Sequence, residues 1–262
     1  MNKFAIGHIL LKAKQLKHTV KDYERWGFTV TYRTDPAAAH NAFIYFRDGS
    51  FLELFNPKPI KAPDKLILAV LQLMRPLHPS MISRYIHYIR STDGITDYAL
   101  DFVPPEGAET TLTEMKQAGA AISKKINMSK TLQDGRKQTW WIAAPADFRL
   151  PFLMSAYSPA VPCSEQELTH PNGALGIDKL VIDVPALEQW VSKYKPIFGD
   201  AVWSDDGQQC EYVLEKGHTI VLRQAKQYRI SEIHLLTSKP IATKLSLQPE
   251  CAHGTAIYMK QA

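Results

Sequence analysis

Apolar and polar positions follow two rhythms along the chain, and the rhythms repeat. Residues 3–13, KFAIGHILLKA, form a nearly unbroken apolar run that predicts a buried strand. Leu16, Val20, Tyr23 and Trp26 then fall on one helical stripe and Gly27 supplies a stop, so residues 15–28 predict a helix. Residues 29–35 predict a short strand. Residues 41–56, NAFIYFRDGSFLELFN, predict a hairpin about the Asp48-Gly49 turn. The order over residues 3–56 is therefore β-α-β-β-β.

The order returns. A strand is predicted at 95–103 and a helix at 107–122, followed by strands in KKINMS, RKQTWWIAAP and LPFLMSAY. A third copy starts with a strand at 176–184 and a helix at 185–199, bracketed by Pro185 and Gly199. Strands follow in DAVWSD, QCEYVLEKG and HTIVLRQA. Residues 230–237 and 255–261 are strand-like and suit a degenerate fourth copy without a clear helix. The rhythm breaks once, after Pro57, Pro59 and Pro63, where two apolar helices are predicted at about 64–74 and 79–90. Repetition on this scale predicts an α+β chain of tandem β-α-β-β-β modules.

Composition narrows the function classes. Of 262 residues, 45% are hydrophobic and 22% charged, ordinary values for a globular chain. The net charge of +5 is unevenly spread. Residues 1–90 hold 14 Lys/Arg against 6 Asp/Glu, and the remainder holds 17 against 20. Without an arginine-rich run, this basic third reads as a solvated face and not as a nucleic-acid site. Cys163, Cys210 and Cys251 are far apart and odd in number, which argues against a disulfide framework or zinc knuckle and suits a reducing cytoplasm. Lysines after the first apolar run, with no small-residue cleavage site, argue for a strand there and against a signal peptide. The longest apolar run, residues 66–74, is too short to span a bilayer, so no membrane partner is expected. The two apolar helices suit core packing or an oligomer contact, such as a homodimer.

One position calls for chemistry. On the strand FLELF, Phe51, Glu53 and Phe55 share a face. An unpaired carboxylate buried there costs several kcal/mol, so a metal, a ligand or a basic partner must compensate it. Other chemistries lack their motifs: there is no G-x-S-x-G, no P-loop and no Rossmann glycine pattern. His40, His78, His87, His218, His234 and His253 show no H-x-x-x-H or H-E-x-x-H spacing, so no helical metal motif is expected.

Gly7-His8-Ile9-Leu10-Leu11, Tyr23 with Gly27-Phe28, Asn41, Asp48-Gly49 and Leu52-Glu53-Leu54 together resemble the vicinal oxygen chelate superfamily, and within it the glyoxalase-like group. GITDYALDF (94–102) and LPFLM (150–154) carry the likeness in the second module, and HPNGALGI more weakly in the third. The resemblance implies curled, mainly antiparallel sheets, each made of two paired modules. Residues 1–160 would form one such domain, with a helical insertion at about 59–92. Residues 170–262 would hold the third module and the degenerate fourth. It also implies a cup whose floor holds a divalent metal, Mn, Fe, Zn or Ni, on first-strand and last-strand residues. His8 and Glu53 would be ligands. Asp97, opposite His8 in the second module, would be a third, whereas Phe152 takes the place of a fourth. The third module offers Asp178 and Val221, an incomplete set. The ligand implied is a small oxygenated molecule, met by Asn41, Phe51, Phe55, Arg136, Trp141 and Phe152. Such a cup would serve a metal-dependent isomerase, lyase or dioxygenase, or a metal-free binder.

The residues leave alternatives beside these roles. His8 and Glu53 could satisfy each other without metal. Glu53 could instead pair with Arg136 or Arg149, and Asp97 could accept from backbone N–H groups at a strand start. Trp140 and Trp141 are consecutive, so only one can face the cup. Arg136 after Asp134-Gly135, Asn41 and His170 in HPNGA each suit a turn as well as a site.

Overall fold

The computed structural model of the chain describes residues 3–58, 62–132, 134–240, 246–247 and 252–262. Pro59 and Cys251 lie outside the described residues; Cys163 and Cys210 are free thiols. The first module runs β1 (Phe4–Lys12), α1 (Leu16–Arg25), β2 (Asn41–Tyr45) and β3 (Phe51–Phe55). The insertion follows as α2 (Asp64–Met74) and α3 (Pro79–Arg90). The second module comprises β4 (Gly94–Phe102), α4 (Ala108–Gln117), β5 (Ile126–Thr131), β6 (Lys137–Ala143) and β7 (Phe152–Met154). A short α5 (Glu165–Leu168), closed by a Ser164–Glu167 capping box, leads to the second half. There stand β8 (Ala174–Val184), α6 (Leu187–Phe198), β9 (Val202–Trp203), β10 (Gln209–Val213), β11 (Thr219–Gln224), β12 (Arg229–Thr237), β13 (Ser246–Leu247) and β14 (Ala256–Gln261).

The strands make two seven-stranded sheets with the same plan, β2-β3-β1-β4-β7-β6-β5 and β13-β14-β12-β8-β11-β10-β9. In each, the first strands of two modules pair antiparallel at the centre, and each has its module's last strand parallel on its outer side. The sheets curl into half-barrels, the mixed α/β architecture expected of the modules. The strand expected at 29–35 is reduced to one bridge, Thr31 to Phe43, because no other residue of that stretch meets a neighbouring strand. No helix among the described residues is long and apolar enough to cross a membrane.

One apolar core runs through both halves. Tyr23 of α1, Leu112 and Met115 of α4 and Trp190 and Tyr194 of α6 pack against inward residues of both sheets. Polar groups lock the halves together at two points inside it. The Tyr98 and Tyr194 hydroxyls lie 2.9 Å apart. His218 is fully buried; its Nδ1 accepts from the Ile6 N–H at 3.0 Å, so the proton sits on Nε2, 3.1 Å from Asp48 Oδ2. That oxygen also accepts from the Ile177 N–H.

Candidate functional site

The sheet of the first two modules has a second face, turned away from the main core. On β1, Ile9 and Leu11 enter the core, so the alternation sends His8, Leu10 and Lys12 to that other face. Gly7 sets this geometry by its size. A Cβ there would lie 2.3 Å from Asp101 Oδ1 on β4, at a register shift between Ile6 and His8. β3 adds Phe51, Glu53 and Phe55, with Phe51 opposite His8 and Glu53 opposite Leu10.

His8 lies flat on Phe51, with ring centroids 4.5 Å apart and 5° between planes, and meets Phe152 edge-on. Burial pushes its imidazole down to about 3, so the ring is neutral. Its Nδ1 is buried and has no hydrogen-bond partner among the described residues. Nε2 stands 3.9 Å from Glu53 Oε2, beyond hydrogen-bond reach. The firm partner of Glu53 is Asn41, whose Nδ2 donates to Oε1 at 2.9 Å. Burial raises the Glu53 carboxyl above its ordinary range, while the Asn41 hydrogen bond and the Lys130 charge oppose the rise. The phenols of Tyr85 and Tyr157 are raised by burial first and then by the Glu53 charge, and that of Tyr45 is raised by burial against the opposing Arg33 hydrogen bond and charge.

Glu53 opens onto a cavity of about 370 Å³ at the edge of the sheet, lined also by Thr34, His40, Asn41, Phe55 and Asn56. The deeper part of the face is closed by the insertion. Tyr88 of α3 packs on Phe55, and the Arg84 guanidinium covers the Phe152 ring. Arg84 is fully buried. It donates from Nη1 to Asp97 Oδ2 and from Nη2 to the Leu150 carbonyl, both at 2.5 Å. The Tyr88 hydroxyl donates to the same Asp97 oxygen, and Asp97 Oδ1 accepts from the Tyr98 N–H.

These contacts correct several expectations. Asp97 is not free to bind metal, because its oxygens are saturated by Arg84, Tyr88 and a backbone N–H. The alignment that singled it out agrees with the register all the same. Phe152 lies opposite Ala99, two residues past Asp97, as Glu53 lies opposite Leu10, two residues past His8. Arg136 is exposed on the β5–β6 turn and bound to Asp134, away from the cup. Arg149 is bound to Asp147, so neither arginine compensates Glu53. Trp141 faces the helix side, against Phe102, and it is Trp140 that turns to the cup face beside Tyr157. Phe152 lies under Arg84, beneath the cover. Asn41, Glu53 and Phe55 come together at the cavity, with Phe51 stacked on His8 behind them.

The remaining donor set does not fit a divalent metal. With bonds of about 2.1 Å, a separation of 3.9 Å would demand a ligand–metal–ligand angle of about 135°, well wider than the tetrahedral value of about 109°. His8 and Glu53 are only two donors, and His8 Nδ1 lacks the partner that usually orients a ligating imidazole. Among the described residues they belong to no group of three ligand atoms within 4.8 Å of one another.

The sequence reading missed Arg84, His40 and the three tyrosines. Arg84 had a signal: a lone arginine within the apolar stretch SMISRYIHYI, matching Asp97 in the middle of an apolar strand. The tyrosines had none, since they converge from β2, α3 and the segment after β7.

Comparison with known proteins places the fold. The model of a glyoxalase-like domain family matches residues 6–198. No curated protein sequence matches the chain. A hypothetical protein from Staphylococcus aureus superposes with a TM-score of 0.75 at 12% identity, covering 99% of this chain and 100% of the other. The 2,3-dioxygenase LapB from Pseudomonas sp. KL28 gives 0.57 at 10% identity, covering 100% and 93%. Homoprotocatechuate 2,3-dioxygenase from Arthrobacter globiformis gives 0.56 at 8% identity, covering 99% and 80%. At these identities the likeness is one of fold.

Proposed function

Because the chain belongs to the glyoxalase-like domain family, we propose that it uses the family's cup as a metal-free site for a small molecule, anchored by Glu53. One observation carries this reading. The Glu53 carboxyl sits at the mouth of a cavity of small-molecule size, with an amide donor and a neutral imidazole beside it and, among the described residues, no lysine or arginine within ion-pair distance. A carboxyl poised in this way binds a hydroxyl, a carbonyl when protonated, or a weakly basic nitrogen when ionised. Phe55 supplies planar apolar surface for the rest of the ligand. A small phenol, catechol or hydroxyketone fits that chemistry. The free thiols Cys163 and Cys210 support a cytoplasmic setting.

A thermal-shift screen of such compounds tests the reading. Compounds that raise the melting temperature are expected to lose at least tenfold in affinity in Glu53→Gln and Asn41→Ala. Equal binding by both variants would remove the site. The metal-dependent reading has its own measurement. Mass spectrometry of protein purified without chelator is expected to show no Mn, Fe, Zn or Ni whose retention depends on His8. A stoichiometric ion lost in His8→Ala would reinstate it.

The homodimer rests on α2. Leu66, Val70 and Leu73 recur at helical spacing and are exposed, and Leu77 continues the stripe. Sedimentation is expected to give a dimer that Leu73→Glu converts to monomer. A monomeric wild type would remove it.

A further inference from the structure

On the opposite side of the first module, two histidines and an aspartate meet where no chemistry was expected. His18 and Asp22 lie on α1 at i and i+4, so they project from one face of the helix. His253 comes from the turn before β14, more than 230 positions later in the chain. Its Nε2 is 2.8 Å from Asp22 Oδ2, and the Nε2 of His18 is 3.4 Å from the same oxygen. The three ligand atoms all lie within 4.8 Å of one another, and among the described residues no other group of three histidine, cysteine or acidic side chains does so.

We propose that His18, Asp22 and His253 form a binding site for a zinc-class divalent cation that staples α1 of the first sheet to the last strand of the second. Ligand atoms around a tetrahedral zinc ion, with bonds of about 2.0–2.1 Å, stand about 3.3 Å apart. The observed separations of 2.8 and 3.4 Å bracket that value. An ion therefore needs only small side-chain rotations, and His18, 60% exposed, is free to make them. Two imidazoles and one carboxylate are a donor set suited to zinc, leaving the fourth position to water. Arg25 binds the other carboxylate oxygen, Asp22 Oδ1, and leaves Oδ2 pointing between the rings.

The site is held in place from both sides. Ala252 and Thr255, flanking His253, are fully buried. Gly254 packs so tightly on the Asp93 carbonyl that a Cβ there would stand 2.3 Å from it. His253 itself has φ +50°, a conformation that non-glycine residues adopt only where surrounding packing enforces it. Its ring is thus presented to α1 by a fixed turn, edge-on to His18 and beside Trp26. The pair His18-x-x-x-Asp22 has no two-histidine spacing, and its third ligand, His253, is remote in sequence.

Isothermal titration of Zn²⁺ into the chelator-treated full chain tests this. One ion per chain is expected at micromolar affinity or better, together with a raised melting temperature. His18→Ala and His253→Asn are each expected to weaken binding at least tenfold. The first changes an exposed side chain and the second keeps a residue that tolerates positive φ, so both should fold, as circular dichroism would verify. His8→Ala should bind Zn²⁺ as the wild type does. Absence of binding, binding unchanged in both variants, or binding abolished by His8→Ala would each overturn the proposal.

Discussion

Replacing Arg84 with methionine is expected to destabilise the fold by about 3–5 kcal/mol, the range for stripping one partner from a buried ion pair. The guanidinium has no exposed surface, and Asp97 is 3% exposed. Methionine matches the volume of the arginine stem but leaves the carboxylate with Tyr88 and one N–H as its donors, and orphans the Leu150 carbonyl. The double change Arg84→Met, Asp97→Leu is expected to recover most of the loss, because it removes both charges from the interior together. Urea denaturation of the single and double variants measures both numbers. A single variant within about 1 kcal/mol of wild type would mean that Asp97 is not held as a buried anion. Recovery would also show that the insertion covers the cup by packing, with the ion pair fixing its register.

The second large effect depends on pH. Asp101 is raised to about 6 by burial, with Lys216 acting against the rise, and its Oδ1 is sealed from water without a partner among the described residues. The sign follows from linkage. The folded state holds this proton more tightly than the unfolded chain, whose aspartates titrate near 3.9. The contribution of Asp101 is therefore most favourable below about pH 4 and is lost as the pH rises through about 6. A shift of about two units corresponds to about 3 kcal/mol, and about 2 kcal/mol remains after allowing for water near the rest of the side chain. Asp101→Asn is expected to gain that amount at pH 7.5 and little at pH 4. Denaturation curves for both proteins at the two pH values check it. No gain at pH 7.5 would mean that the carboxylate is compensated, with Lys216 the first group to examine. Gly7 belongs to the same feature, since the room it leaves is taken by this carboxylate.

Much of the architecture was legible because it depends on local periodicity. The apolar stripe of α1, the inserted helices at 64–74 and 79–90, and the hairpin at Asp48-Gly49 stand where the pattern placed them. The 29–35 strand did not form, because a strand needs a neighbour along its whole length and only Thr31 found one. The family was legible in Gly7-His8 and Glu53, and the matched family domain accords with it.

The site divided differently. Sequence determined which side chains share a strand face, for that follows from the two-residue repeat of a strand. It therefore put Phe51 and Phe55 with Glu53 and posed the question of the buried carboxylate, while the resemblance to the family added His8 and Asn41. It could not determine what compensates each charge, since partners are chosen by distance in space. Asp97 found Arg84 from an inserted helix, Arg136 found a neighbour in its own turn, and the consecutive tryptophans sorted to opposite faces by the register of β6. Asp22 found His253 from the far end of the chain. Only the tertiary structure decides such meetings, because it alone sets which remote groups lie within the few ångströms over which ion pairs, hydrogen bonds and metal ligation act.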